Sequence, residues 1–238
     1  MITKCECTNN SFPKDIEDAI NIAAPHLICG VSYYPEVGNI KKFWCVNTSE
    51  LTTNYSRISE TDLNTVRELG TVAYAILGRM KDNSECKERE QRYCNELQLP
   101  VLSLSYESKT MSFIFPDNEM DLVGRPFIQE KFNCYTLIQD FYKQKYDIKL
   151  NDYQKSERDD DIFLNNIERE GFYSISKREL IEGDVILMQI NGPTANHTAI
   201  YLGEDKILNH MGNRPSGYNQ LSRFSKYIVG YYRHLKRD

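Results

Sequence analysis

Apolar positions recur along this chain in two rhythms, and the order of the rhythms changes near the middle. Ile16, Ala19, Ile20 and Ala23 repeat at helical spacing behind Pro13, a residue suited to a helix start. The runs "CGVSYY" and "KKFWCVN" around the turn-rich "PEVGN" predict a pair of strands. "SETDLNTVRELG" opens on a Ser-x-x-Asp capping pattern and closes on Gly70, predicting a helix. "TVAYAIL" predicts a strand and "NSECKEREQRYCNEL" a helix charged along one side. "PVLSLSYES" and "MSFIFPD" complete a small sheet.

The polar stretch "PDNEMDLVGRP" separates this half from the next, which predicts a domain over 1–116 and a second over 120–238. After it, helices come first and strands follow. "CYTLIQDFYKQKY" sets Cys134, Leu137, Ile138, Phe141 and Tyr142 on one apolar stripe. "DDIFLNNIEREG" predicts a shorter helix ending at Gly171. "DVILMQI", "HTAIYLG", "KILNHM" and "YIVGYYRH" then read as strands in series. The fold class expected is α+β in two domains, the second with helices packed on an antiparallel sheet.

Composition narrows the partners. At 238 residues each half can bury its own core, and the formal net charge of −5 arises from acidic residues spread along the chain. The only basic cluster, Arg233, Lys236 and Arg237, is too short for a nucleic-acid groove, so no nucleic-acid partner is expected. The polar start "MITKCECTNN" lacks the apolar core of a secretory signal, and no apolar run approaches membrane-spanning length. The expectation is a cytoplasmic protein with reduced thiols. Seven scattered cysteines give no disulfide framework, and Cys5 with Cys7 alone makes a weak metal signature.

One cysteine is placed for chemistry. Asn133 can cap the helix that Cys134 begins, and the positive end of the helix favours thiolate over thiol. A thiol nucleophile also needs a base and a group that orients the base. Of the four histidines, His26 belongs to the first half and His234 to the basic C-terminus. His197 opens the strand "HTAIYL" directly after the loop "NGPTAN", where a loop gives access and a strand gives rigidity. The orienting group is either Asn209 or His210, since neighbouring strand residues face opposite sides. A hairpin loop of Gly203 to Asp205 puts Asn209 on the face of His197; a loop of Glu204 and Asp205 alone puts His210 there. The same residues also fit a structural cysteine and a hydrogen-bonded histidine, so the residues alone leave both readings standing.

"NCYTLIQDFY", "EGDVILMQI" and "NHTAIYLGEDKILNH" together resemble the NlpC/P60 cysteine peptidases over about residues 120 to 238. That family places a cysteine at a helix start, Gly-Asp before a strand and histidine at the start of the next. The resemblance implies a papain-like domain with Cys134 as nucleophile and His197 as general base. Asn209 would be the third residue, with His210 in reserve. Asn133, Phe127 and Asn196 would line the site, with no cofactor. The family's Asp-Cys-Ser-Gly context has become Asn133-Cys134-Tyr135-Thr136, and Phe127 stands where a site tyrosine is common. Losing that hydroxyl shifts oxyanion stabilisation toward backbone N–H groups.

"GRPFIQEKFNCYTLIQDFY" and "PTANHTAIYLG" look like the C-terminal half of tail assembly proteins of lambda-type phages, which pair a JAB/MPN-like domain with an NlpC/P60 domain. "INIAAPHLICGVSYY" and "KKFWCVNTSE" resemble the opening of a JAB/MPN domain. Its zinc ligands have no counterpart here. Leu27 or Ile28 stands at the glutamate position, "AILGRMKDNSECK" has no histidine, and Lys87 replaces the aspartate after Ser84. Cys86 and Glu85 do not rebuild a zinc site, so the first domain is expected to be metal-free. The resemblance implies an amide-cleaving thiol peptidase acting on peptidoglycan stem peptides or a tail protein. It would meet other tail-tip proteins, in the host cytoplasm during assembly or at the tail tip. A structural tail-tip component with little catalysis is the alternative.

Overall fold

The computed structural model describes residues 3–5, 11–129, 131–153 and 166–237. The chain forms two compact units, residues 1–121 and 122–238.

The first unit runs β1 (Thr3–Cys5), α1 (Lys14–Ala23), β2 (Cys29–Pro35), β3 (Lys41–Cys45), α2 (Glu60–Leu69), β4 (Gly70–Arg79), α3 (Ser84–Leu97), β5 (Val101–Ser105) and β6 (Thr110–Ile114). Its sheet has the order β1-β6-β5-β4-β2-β3. Every pair is antiparallel except β4 and β5, which α3 joins as a parallel crossover. The expected cap of α2 is present: Ser59 Oγ accepts from the Asp62 N–H at 3.0 Å. Gly70 both ends that helix and begins β4. Val31, Leu63, Val66, Ala75, Leu77, Val101 and Ile114 form the core. Strand β1 has no counterpart in the sequence reading, which left the N-terminus as a polar segment.

A charged group is buried in this unit. Arg79 meets Glu90 at 2.8 Å and Asp82 at 2.6 Å, and Ser103 Oγ donates to Glu90 at 2.8 Å. Ser105 Oγ donates to Asp82 at 2.7 Å. The thiols of Cys29 and Cys94 donate to backbone carbonyls, and burial pushes Cys94 up to about 12.

The second unit runs α4 (Cys134–Tyr146), β7 (Phe172–Ile175), β8 (Val185–Met188), β9 (His197–Gly203), β10 (Lys206–Asn209), β11 (Gly217–Gln220) and β12 (Ile228–His234). Its sheet, ordered β11-β10-β9-β8-β12-β7, is antiparallel throughout. The first half of the helix expected over "DDIFLNNIEREG" lies outside the described residues. The stripe of α4 goes where its spacing sends it: Leu137, Ile138, Phe141 and Tyr142 pack on Val185, Ile200 and Leu208. Burying each such side chain is worth about 1.5–3 kcal/mol at most. Asp147, at φ 55°, ends the helix with its N–H turned back to Lys143 and Tyr142.

The Gly-Asp before β8 has a structural reason. Gly183 takes φ 89°, and a Cβ there would run into the Tyr146 hydroxyl. Asp184, fully buried, holds Arg233 at 2.9 Å and Arg237 at 2.8 Å, which ties the C-terminal strand to β8. Among the described residues no helix is long and apolar enough to cross a membrane.

Candidate active site

The start of α4 is built by a reciprocal cap. Asn133 Oδ1 accepts from the N–H groups of Tyr135 at 2.9 Å and Thr136 at 3.0 Å. Thr136 Oγ1 accepts from the Asn133 N–H at 2.9 Å. Cys134 is thereby fixed as the first helical residue. The residue is half-buried, but its sulfur is enclosed, and enclosure raises the thiol pKa above its ordinary value. The N–H and hydroxyl of Thr198, with helix N–H groups, favour the thiolate but do not offset burial. This corrects the expectation that the helix start lowers the pKa: at this position desolvation wins.

His197 opens β9 and is 7 % exposed. Burial pulls its pKa down to about 4, so the imidazole is neutral at pH 7. His210, 1 % exposed, is also pulled down to about 4, by burial first and then by the charge of Arg125. The carbonyls of Arg125 and Asn133 lie on its side of the ring, and Phe127 meets it edge-on with centroids 5.3 Å apart. The expected site-lining Phe127 thus packs on His210. Asn196 spends its amide on Ile190, accepting from its N–H at 2.9 Å and donating to its carbonyl at 2.7 Å, and so clasps the loop ahead of β9.

The β9–β10 hairpin takes the shorter of the two loops considered from sequence, but with the face expected of the longer one. Lys206 pairs with Gly203, so the turn has two residues, Glu204 and Asp205, both with positive φ as in the primed hairpin turns. The register then shifts between Lys206 and Ile207, and from there Ile207 pairs with Tyr201 and Asn209 with Ala199. The bulge cancels the parity change of the shorter turn. Asn209 therefore shares a face with Ala199 and His197, while Thr198 alternates with Ile200 toward α4.

Asn209 is 1 % exposed, and its Oδ1 accepts from Asn219 Nδ2 on β11 at 2.9 Å. Asn219 is a residue that the sequence reading missed, and no local signal marks it. Among the described residues, six buried side-chain polar atoms lack a hydrogen-bond partner. Five of them belong here: His197 Nε2, Thr198 Oγ1, Asn209 Nδ2 and both ring nitrogens of His210. Buried polar groups are normally satisfied, so such a concentration marks a place where the fold does not use its own polar atoms. A neutral imidazole and an enclosed thiol at a helix start are the two groups that a thiol nucleophile with a general base requires.

The NlpC/P60 family matches residues 124–233, within the second unit. Tail tip assembly protein K of Escherichia phage N15 is 25% identical over 193 residues, which is 79% of this chain and 79% of that one. Tail tip assembly protein K of Escherichia phage lambda is 30% identical over 110 residues, 44% of this chain and 52% of that one, so the match spans about half of the lambda protein. Among solved structures, an NLP/P60-family protein similar to lipoprotein from Staphylococcus aureus subsp. aureus Mu50 is 25% identical, with a TM-score of 0.33 over 43% of this chain and 32% of that one. An NlpC/P60 family protein from Bacillus cereus ATCC 10987 is 13% identical, with a TM-score of 0.35 over 94% of this chain and 67% of that one. Residues 124–233, nearly all of the second unit, thus match the NlpC/P60 family, and the chain is similar to the phage tail tip assembly proteins K.

Proposed function

We propose that the second unit is a thiol peptidase in which Cys134 is the nucleophile, His197 the base and Asn209 the group that orients His197. The observation that carries this is the set of unpartnered buried polar atoms next to a capped, helix-starting cysteine. The Thr198 N–H is directed at Cys134 from β9, so the peptide joining His197 to Thr198 lies against the thiol and His197 is the adjoining residue. Because burial disfavours both ionised forms, the resting pair is thiol and neutral imidazole. His197 takes the thiol proton as sulfur attacks the scissile carbonyl, giving a tetrahedral adduct. The imidazolium then protonates the leaving amine, an acyl-enzyme forms, and water activated by His197 releases the acid and frees Cys134. Backbone N–H groups at the start of α4 are the donors available to the oxyanion, since Phe127 carries no hydroxyl.

Asn209 and Asn219 can exchange the sense of their hydrogen bond by turning both amides. Asn209 Oδ1 is then free for the ring N–H of His197, and the Asn209–Asn219 contact is kept. The substrate class is an amide of a peptidoglycan stem peptide or of a tail protein, and the setting is phage tail-tip assembly, the role in the names of the relatives. We read the first unit as a JAB/MPN-like body without a zinc site, acting through packing and partner contacts. A second reading makes the chain a structural assembly component whose site turns over little. It is favoured by the departure at Asn133-Cys134-Tyr135-Thr136 from the family's usual context.

The test is incubation of the purified full chain with muropeptides and, separately, with tail proteins, followed by mass spectrometry for a new amine and a new carboxylate terminus. Cleavage by the native chain and none by Cys134→Ala is expected. No cleavage of either substrate class by the native chain supports the structural reading.

A further inference from the structure

We propose that Thr198 is a positioning residue for the nucleophile, its hydroxyl donating a hydrogen bond to the Cys134 thiolate and not to the thiol. The inference rests on the reading of Cys134 as nucleophile. Thr198 is 2 % exposed, and its Oγ1 has no hydrogen-bond partner. It lies on the face of β9 that α4 covers, in alternation with Ile200, which packs against Leu137, Ile138 and Phe141. Ile200 and Leu202 are the other two residues on that face, so Thr198 is a hydroxyl in an apolar row.

Its neighbour there is Cys134, toward which both the Thr198 N–H and its hydroxyl are directed closely enough to favour negative charge on sulfur. A neutral thiol is a weak acceptor, whereas a thiolate is a strong one, and a buried hydroxyl without a partner is costly. The hydroxyl therefore gains its partner only when Cys134 ionises, and it works against the burial that holds the thiol protonated. The threonine keeps its own proton throughout. The proton that leaves Cys134 goes to His197 or to solvent. Of the charged and titratable groups nearby, His197 on β9 and Arg125 ahead of α4, which is paired with Asp140 on α4, act on His210 just past β10. The Thr198 hydroxyl is the side-chain donor directed at the sulfur, beside the N–H groups of Thr198, Tyr135 and Cys134, and it donates without changing charge itself.

The experiment follows alkylation of Cys134 by iodoacetamide in the full chain against pH, read from the mass of the Cys134 peptide, so no substrate is needed. Thr198→Val keeps the shape and removes the donor; Thr198→Ser keeps the donor. Thr198→Val is expected to move the midpoint of the Cys134 profile up by about one pH unit and to slow alkylation at pH 7 about tenfold. Thr198→Ser should stay near the native profile. Should Thr198→Val not fold, Thr198→Ala carries the same expectation. A Val or Ala profile equal to the native one overturns the proposal, as does a Ser variant that shifts as far as Val. This outcome is separable from the peptidase reading. Hydrolysis that depends on Cys134 with a profile unmoved by Thr198→Val leaves the peptidase and removes Thr198. A shifted profile in a protein that cleaves nothing does the reverse.

Discussion

Each unit buries polar side chains in its interior, and the two handle them in opposite ways. In the first unit Arg79, Glu90, Asp82, Ser103 and Ser105 satisfy one another, and among its described residues no buried side-chain polar atom is left without a partner. In the second unit His197, Thr198, Asn209 and His210 are as deeply buried, yet each keeps an unpaired atom. The cleft of about 770 Å³ in the first unit, lined by Arg57, Arg79, Arg89, Glu90 and Tyr93 among others, belongs to the first kind. Three of its four arginines are matched: Arg79 by carboxylates, Arg57 and Arg89 by the rings of Tyr93 and Tyr55. A cavity's size is thus a poorer guide to chemistry than the state of the polar atoms in its walls. A closed network holds a fold together, and an unsatisfied one at a helix start is the candidate for chemistry.

Acid should separate the units most. His197 and His210 have folded pKa values near 4, below the ordinary 6.5. Protons therefore bind the unfolded chain first. Their contribution is complete above pH 6.5 and is lost as pH falls toward 4, on the order of 3 kcal/mol for each site titrating independently. In the first unit, burial opposes ionisation of Asp82, but Ser105, Ser108 and Arg79 together hold it down to about 2, so its contribution is lost only below the ordinary 3.8. Thermal melts from pH 7 to pH 4 should show the second unit weakening and the first nearly unchanged; equal loss in both would erase the contrast.

Next in size is Glu90→Ala, which strips the buried Arg79 of one carboxylate and leaves Ser103 unpaired. It should destabilise the first unit by about 3 kcal/mol, measured by denaturant titration, with turnover intact. Asn209→Ala should lower turnover roughly tenfold through a misoriented His197 while stability changes little, and His210→Ala should leave turnover nearly unchanged. The opposite split would make His210 the orienting group. Smallest is Ser59→Ala at the cap of α2, which should cost about 1 kcal/mol in the first unit and nothing in activity.

Much of this was legible in sequence because local chemistry and burial agree. Asn133 announces α4, the stripe Leu137, Ile138, Phe141 and Tyr142 gives its buried face, and "HTAIYLG" marks β9 to the residue. Strands β7 and β11 were not, since the Gly217–Gln220 segment is only half buried and carries little apolar alternation. The hairpin shows a subtler limit. A three-residue loop and a two-residue turn with a bulge place Asn209 on the same face, so the face was readable and the route to it was not. The pKa of Cys134 was misjudged because a helix terminus is visible in sequence and an enclosing sheet is not. Thr198 did leave a trace, a hydroxyl on the core-facing side of an apolar strand, but its meaning needed the neighbouring sulfur.

The central claim is that the open polar site performs chemistry and the closed network holds structure. The direct measurement is turnover and melting temperature, side by side, for Cys134→Ala and Glu90→Ala in the full chain on a cleaved muropeptide or tail protein. The account predicts that Cys134→Ala loses all turnover with an unchanged melt, and that Glu90→Ala loses stability with turnover per folded molecule unchanged. Turnover surviving in Cys134→Ala, or lost in a folded Glu90→Ala, would contradict it.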